Sequence, residues 1–133
     1  RSHDTPRLIL NTAGAYTTDT AYRIRAIRGE ARQLVYGFFN SLTALTAELE
    51  GRHYGGGVLE LVPSEIEKLL MPTPDKIVPD IQELDRRVRS DSVADTLEGQ
   101  SEIVLAGLSK SKQMDLLAAW SMLRNRRQRL SDE

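Results

Sequence analysis

The sequence predicts an α+β domain: a small N-terminal β region packed on a long amphipathic helix, then a mainly helical C-terminal half. Three observations carry this. Residues 20–27 alternate, with Tyr22, Ile24 and Ala26 on one side and Arg23 and Arg25 on the other, which is the period of a half-buried strand. From Gly29 the period changes, and Ala31, Val35, Phe38, Leu42, Leu45 and Leu49 recur at steps of three and four. Beyond Met71-Pro72-Thr73-Pro74 the apolar residues keep helical spacing to the end of the chain.

Taken in order, residues 7–10 (Arg-Leu-Ile-Leu) read as a first short strand. Asn11 to Asp19 is turn chemistry, rich in Asn, Gly, Thr and Asp. The 20–27 strand follows, with a basic outer face. The helix is expected over 30–50, ended by Gly51, with Asn40, Ser41 and Thr43 off its apolar stripe and facing solvent or a partner. Tyr54-Gly55-Gly56-Gly57 then runs into an apolar strand at 58–62. Ser64 and Glu67 have capping-box spacing for a short helix at 65–70. The prolines at 72 and 74 predict a stiff extended linker, since each biases its predecessor away from helix.

Ile77, Ile81, Leu84 and Val88 define the next amphipathic helix, with Pro79 in its first turn, where a missing N–H does least harm. Residues 91–106 predict another helix and stop at Gly107. Ser109 caps the last one, in which Leu116, Trp120 and Leu123 form a stripe and basic residues crowd the C-terminal turns, as the helix dipole favours. With 133 residues the chain is one domain's worth. Residues 7–133 are expected to form it, mixed α/β over 7–71 and a helical tail over 75–133.

The chain starts Arg1-Ser2-His3 without a methionine, so residues 1–6 read as a cloning remnant or linker and the chain as a piece of a larger protein. Cysteine is absent, which excludes disulfides, thiolate zinc sites and cysteine nucleophiles. There is no signal peptide pattern and no apolar run long enough to span a bilayer, so a cytoplasmic protein is the expectation. His3 and His53 cannot form a metal pair at helical spacing, and no metal site is expected. The carboxylates Glu48/Glu50 and Glu65/Glu67 have no adjacent histidine or lysine and read as solvated. No Walker lysine follows the glycines, and a strand comes after them instead of a helix N-terminus, which argues against a nucleotide cradle. No catalytic residues are therefore expected.

What remains is a surface that binds. A net charge of −1 conceals segregation: Arg23, Arg25, Arg28 and Arg32 oppose only Glu30, and Arg124, Arg126, Arg127 and Arg129 crowd the tail. Each cluster also has a plainer reading, as a solvated helix face or as dipole complementation. Thr17 and Thr18 lie at the mouth of the Arg23/Arg25 strand, while Arg52, His53 and Tyr54 sit at the glycine turn. Hydroxyl and guanidinium groups on turns suit phosphates, and Arg also reads guanine edges. Tyr54 reads first as packing on the long helix, with stacking on an extruded base as the alternative. The candidate DNA-binding set is Thr17, Thr18, Arg23, Arg25, Arg52, His53, Tyr54, Gly55, Gly56, Arg124 and Arg127.

Three segments carry a resemblance. Thr18-Asp19-Thr20-Ala21-Tyr22-Arg23-Ile24 resembles the Thr-Asp-x-x-Tyr-Arg-Val strand of adenine-specific DNA methyltransferases of restriction–modification systems. Phe38-Phe39-Asn40-Ser41-Leu42-Thr43 with Tyr54-Gly55-Gly56-Gly57 through Pro63-Ser64 is similar to the helix and glycine turn of their C-terminal, target-recognising part. Ala118-Ala119-Trp120 through Arg127 resembles their closing helix. One departure, Leu69-Leu70-Met71-Pro72 in place of Leu-Pro-(Ile/Leu)-Pro, touches no residue with a functional role. The resemblance implies an N-terminal catalytic domain elsewhere, which binds S-adenosylmethionine and methylates an extruded adenine with an Asn-Pro-Pro-Tyr motif. Neither of those motifs occurs here. It implies a non-catalytic fragment that holds no cofactor itself and meets double-stranded DNA through the parent enzyme. A structural module docking on the catalytic domain or on a partner subunit is the alternative.

Overall fold

The computed structural model describes residues 1–129 and bears out the α+β class with a helical C-terminal half. Six helices, α1 (Ala31–Phe38), α2 (Ser41–Glu50), α3 (Pro63–Ile66), α4 (Ile81–Ser90), α5 (Val93–Val104) and α6 (Lys110–Arg129), accompany an antiparallel hairpin of β1 (Arg52–Tyr54) and β2 (Val58–Glu60). In the hairpin Arg52 pairs with Glu60, His53 with Leu59 and Tyr54 with Val58.

The long helix expected over 30–50 is broken in two. At the break Asn40 has an extended backbone, with φ −154° and ψ 168°. Its Oδ1 accepts the Thr43 N–H at 3.0 Å, which caps α2. Its Nδ2 donates to the Gly37 carbonyl at 2.7 Å, which satisfies one of the orphan acceptors at the end of α1. One buried amide thus ends one helix and starts the next. Asn40, Ser41 and Thr43 do not face solvent as the stripe predicts; all three are buried. The reason is that α2 is covered on several sides: α6 packs along it, α5 meets it at Ser41, and α3 and the hairpin cover its far end. Its small hydroxyls are satisfied inside. Ser101 Oγ accepts the Ser41 N–H at 3.0 Å, and Thr43 Oγ1 donates to the Leu70 carbonyl at 2.8 Å.

The principal core gathers Tyr36, Ala44, Leu84, Leu97, Val104 and Trp120 from five helices, with Phe39 from the α1–α2 junction, and a smaller one sets Ala47 against Leu59 and Leu61. Gln100 bridges three helices from within, donating to the Tyr36 carbonyl at 2.8 Å and accepting from Arg87 at 2.7 Å. The proline linker is not a free spacer. It lies against α1 at Gly37, where a Cβ would come within 2.9 Å of both the Pro72 carbonyl and the Pro74 ring.

Two expected strands are absent. Residues 7–10 and 20–27 run without a strand partner, and among the described residues no hydrogen bond or ion pair joins residues 7–29 to the remainder. Alternation specifies which side chains share a face, but a strand also needs a paired neighbour, and neither run has one. The strand expected over 58–62 is confined to Val58–Glu60. The first residues are built in: Ser2 exchanges two backbone hydrogen bonds with Leu59, at 2.9 and 2.8 Å, and Thr5 is buried. A linker reading of residues 1–6 therefore does not fit their contacts. The short helix is Pro63–Ile66, earlier than expected, because the Glu65 carboxylate accepts the Val62 N–H at 2.9 Å and sets the cap there. Pro79 lies just ahead of the Asp80 cap of α4. Ser92 and Ser109 receive the N–H groups of Asp95 and Lys112 at the starts of α5 and α6.

Replacing Asn40 with Ala removes a cap and leaves the Gly37 carbonyl and Thr43 N–H buried without partners. Urea denaturation is expected to show a loss of about 2 kcal/mol or more.

Candidate nucleic-acid interface

The glycine triplet is the loop of the hairpin. Gly56 and Gly57 have φ of 80° and 67°, so the turn requires residues without a Cβ at both positions. Around Gly55 and Gly56 the space is open, so the tip is a bare stretch of backbone. The three residues before it form β1, all exposed, a strand that the sequence reading missed. Arg52 Nε donates to Glu65 Oε1 at 2.8 Å, an ion pair at the base of the hairpin. The Val62 N–H and then Arg52 hold the Glu65 carboxyl below its ordinary range, and Glu65 in turn raises Arg52. Tyr54 does not pack on a helix. It is half-exposed at the tip with the Arg1 guanidinium 6.0 Å from its ring centroid. His53 is also half-exposed, its Nε2 at 4.0 Å from Glu48 Oε2.

That carboxylate anchors the hairpin from behind. Glu48 and Arg127, both expected at the surface, are almost wholly buried against each other. Arg127 Nε lies 3.0 Å from Glu48 Oε2, and its Nη2 lies 2.7 Å from Oε1. Arg127 Nη1 also donates to the Gly57 carbonyl, and Nη2 to the Asp4 carbonyl at 3.1 Å. All the donor nitrogens of this guanidinium are satisfied inside the protein, so it presents nothing to a phosphate and drops out of the candidate set. A helical signal for this was present: Gln113, Trp120 and Arg127 stand seven residues apart, and they are the buried residues of α6.

Arg124 occupies a middle position. It donates to Asp4 Oδ1 and to Asn125 Oδ1, lies 5.8 Å from the Trp120 ring, and keeps part of its side chain in solvent. Burial pushes the Asp4 carboxyl up, but hydrogen bonding and charge from Arg124, with help from Gln128, leave it below its ordinary value.

The remaining candidates lie apart from the hairpin, on the exposed segment 11–25. Arg23 Nε donates to Thr17 Oγ1 at 3.3 Å, and the Thr18 and Thr20 hydroxyls share a hydrogen bond of 2.7 Å. Arg25 is exposed and enters no ion pair among the described residues. The structure therefore groups Arg52, His53, Tyr54, Gly55 and Gly56 on one hairpin and Thr17, Thr18, Arg23 and Arg25 on one arm. It does not bring the two groups into contact.

A sequence profile described as the type II methyltransferase M.Eco57I, C-terminal domain, matches residues 1–105. The chain belongs to this family. It is a C-terminal part of a restriction–modification methyltransferase. No curated protein and no solved structure gave a match. The match takes in the arm and the hairpin and closes at Leu105, the C-cap of α5. The methyltransferase domain's α6, which supplies Trp120 and Arg127 to the interior, lies beyond the matched residues. Among the described residues no helix is long and apolar enough to cross a membrane.

Two outcomes test this arrangement. Arg127→Met strands the Glu48 carboxylate in the interior and is expected to lower stability by about 3–5 kcal/mol in urea, with the Glu48→Met/Arg127→Met double variant recovering much of the loss. Because the folded pKa of Asp4 is depressed below 3.8, its contribution is present above that pH and is lost as pH falls through the folded value. Asp4→Asn should flatten that acid limb in denaturation series between about pH 5 and pH 2.

Proposed function

We infer that this domain is the DNA-facing, target-recognising part of an adenine-N6 methyltransferase and does no chemistry itself. The observation that carries the reading is the hairpin, which turns Arg52, His53 and Tyr54 outward beside a bare glycine tip while Glu48 and Arg127 fix it from behind. Guanidinium, imidazole and phenol on a rigid strand suit phosphate and base-edge contacts, and an uncluttered backbone permits close approach to a duplex. Thr17, Thr18, Arg23 and Arg25 supply a second, basic contact line, with Arg124 at the margin. The family supports double-stranded DNA as the ligand, a cytoplasmic setting, and a catalytic domain as the neighbour within the parent enzyme.

S-adenosylmethionine belongs, on this reading, to that catalytic domain. The hollow between the first residues and α1–α2, lined by Pro6, Phe38, Phe39 and Leu97 among others, has essentially no enclosed volume. That is below the roughly 300 Å³ at which small-molecule sites begin, and its apolar lining does not fit a charged nucleoside. The chain's own part is to bind the duplex, orient it and brace it while the base is extruded.

A second reading, docking on the catalytic domain, is favoured by one observation. Met114 and Met122, two turns apart on α6, are both exposed. The two roles use different faces and are compatible.

Duplex binding measured over a salt series should give log affinity falling linearly with log salt, by about 0.9 per phosphate neutralised. Arg25→Gln should make that slope shallower by about 0.9, whereas Arg86→Gln, whose guanidinium pairs with Glu83 on α4, should leave it unchanged. Binding that ignores salt, or no binding to any duplex, would remove the DNA role.

A further inference from the structure

Residues 7–29 are the part of the chain that the packed fold leaves out. They carry four arginines against one aspartate. Their two backbone–backbone hydrogen bonds, Thr12 to Leu10 and Ala21 to Thr18, are both local. Ile9, Tyr16 and Ile27 are 77, 95 and 90% exposed, so apolar side chains stand in water without cover. A segment with strand alternation at both ends and an unpaired backbone between α1 and the body is an incomplete structure. The inference that follows deepens the DNA-facing reading and rests on it.

We propose that residues 7–10 and 20–27 are the two strands of a β-ribbon that forms when the arm enters the major groove of duplex DNA. The turn between them is already pinched in the free chain. Asn11 Nδ2 donates to the Ala15 carbonyl at 2.8 Å, and Asn11 Oδ1 accepts the Ala15 N–H at 2.9 Å. Gly14, at φ 62°, lets the backbone reverse there. Across the mouth, the Arg23–Thr17 hydrogen bond holds the second run against the turn.

Pairing Leu10 opposite Tyr22 sorts the side chains. Leu8, Leu10, Tyr22 and Ile24 share one face, and Arg7, Ile9, Arg23 and Arg25 share the other. The first face matches the half-burial of Leu8 and Leu10 already present. The second face explains why the ribbon is not formed alone. It sets Arg7 directly opposite Arg25, and like charges so placed oppose pairing. An isolated two-stranded hairpin is in any case marginal in water. Phosphates remove the repulsion, and the major groove is wide enough for a two-stranded ribbon. The duplex supplies the counter-charge, and the arm orders on it.

Proline scanning of the 133-residue chain tests this apart from simple charge contact. Ile24 and Arg25 have opposite parity and both stand opposite residues 7–10 in this register, so one of their N–H groups belongs to the ribbon ladder. Neither N–H is bonded in the free chain, so Ile24→Pro and Arg25→Pro should leave thermal stability unchanged. One of the two should lose about tenfold more duplex affinity than the alanine variant at the same position. Hydrogen exchange should show new protection at 7–10 and 20–27 when duplex is added. Duplex binding by both proline variants equal to that of their alanine counterparts, without new protection, would overturn the ribbon and leave the arginine contacts standing. Protection already present without DNA would overturn the DNA-driven ordering. Failure of the unsubstituted chain to bind any duplex would overturn both the ribbon and the DNA-facing role.

Discussion

The buried pair of Glu48 and Arg127 is the constraint on which the rest depends. A carboxylate and a guanidinium removed from water are tolerable only when their remaining hydrogen-bonding capacity is met. Here it is met by the Gly57 carbonyl, the Asp4 carbonyl and the bidentate pairing itself. Those partners come from four separate stretches: α2, the hairpin turn, the N-terminal residues and α6. A hydrophobic contact between the same stretches would tolerate sliding. Directional bonds to a planar guanidinium fix the hairpin turn relative to α2, α6 and the N-terminal residues.

The same logic runs through α2. A helix enclosed on several sides needs close approach more than bulk, and Ser41, Thr43, Ala44, Thr46 and Ala47 provide it. Each hydroxyl then needs a partner, and these partners set the register of neighbouring segments. Ser101 fixes α5, and the Leu70 backbone is held by Thr43 and Thr46. Small polar residues in this interior therefore act as alignment marks, while Trp120, Leu97 and Tyr36 fill the volume between the helices.

Much of this was legible in the residues. The helices after the proline linker follow their apolar spacing, and Ser92, Ser109 and Asp80 cap where local chemistry places them. The turn at the three glycines was also legible, because left-handed backbone at adjacent positions leaves few alternatives. The break at Asn40 was not read, although an asparagine directly ahead of Ser41 and Thr43 is itself a cap signal; the continuous apolar stripe outweighed it. Tail arginines look alike in sequence, and only helical phase relative to Trp120 separates the buried Arg127 from its exposed neighbours. The arm shows the deeper limit. Alternation at 20–27 describes a face, and what that face pairs with is information held outside the segment. For the candidate interface, the residue types were legible while their division between a rigid hairpin and an unattached arm was not.

The long reach of Arg127 also orders events in time. It bonds to partners 70 to 123 residues earlier in the chain, and such contacts close late because the intervening loop entropy must first be overcome. A ribosome releases the hairpin residues well before it has made the helix that seats them. During synthesis the hairpin is therefore complete in sequence but unanchored, with the Glu48 carboxylate still in water. The hairpin gains a fixed position only when α6 docks, so a chain interrupted before that helix would carry Arg52, His53 and Tyr54 without their geometry.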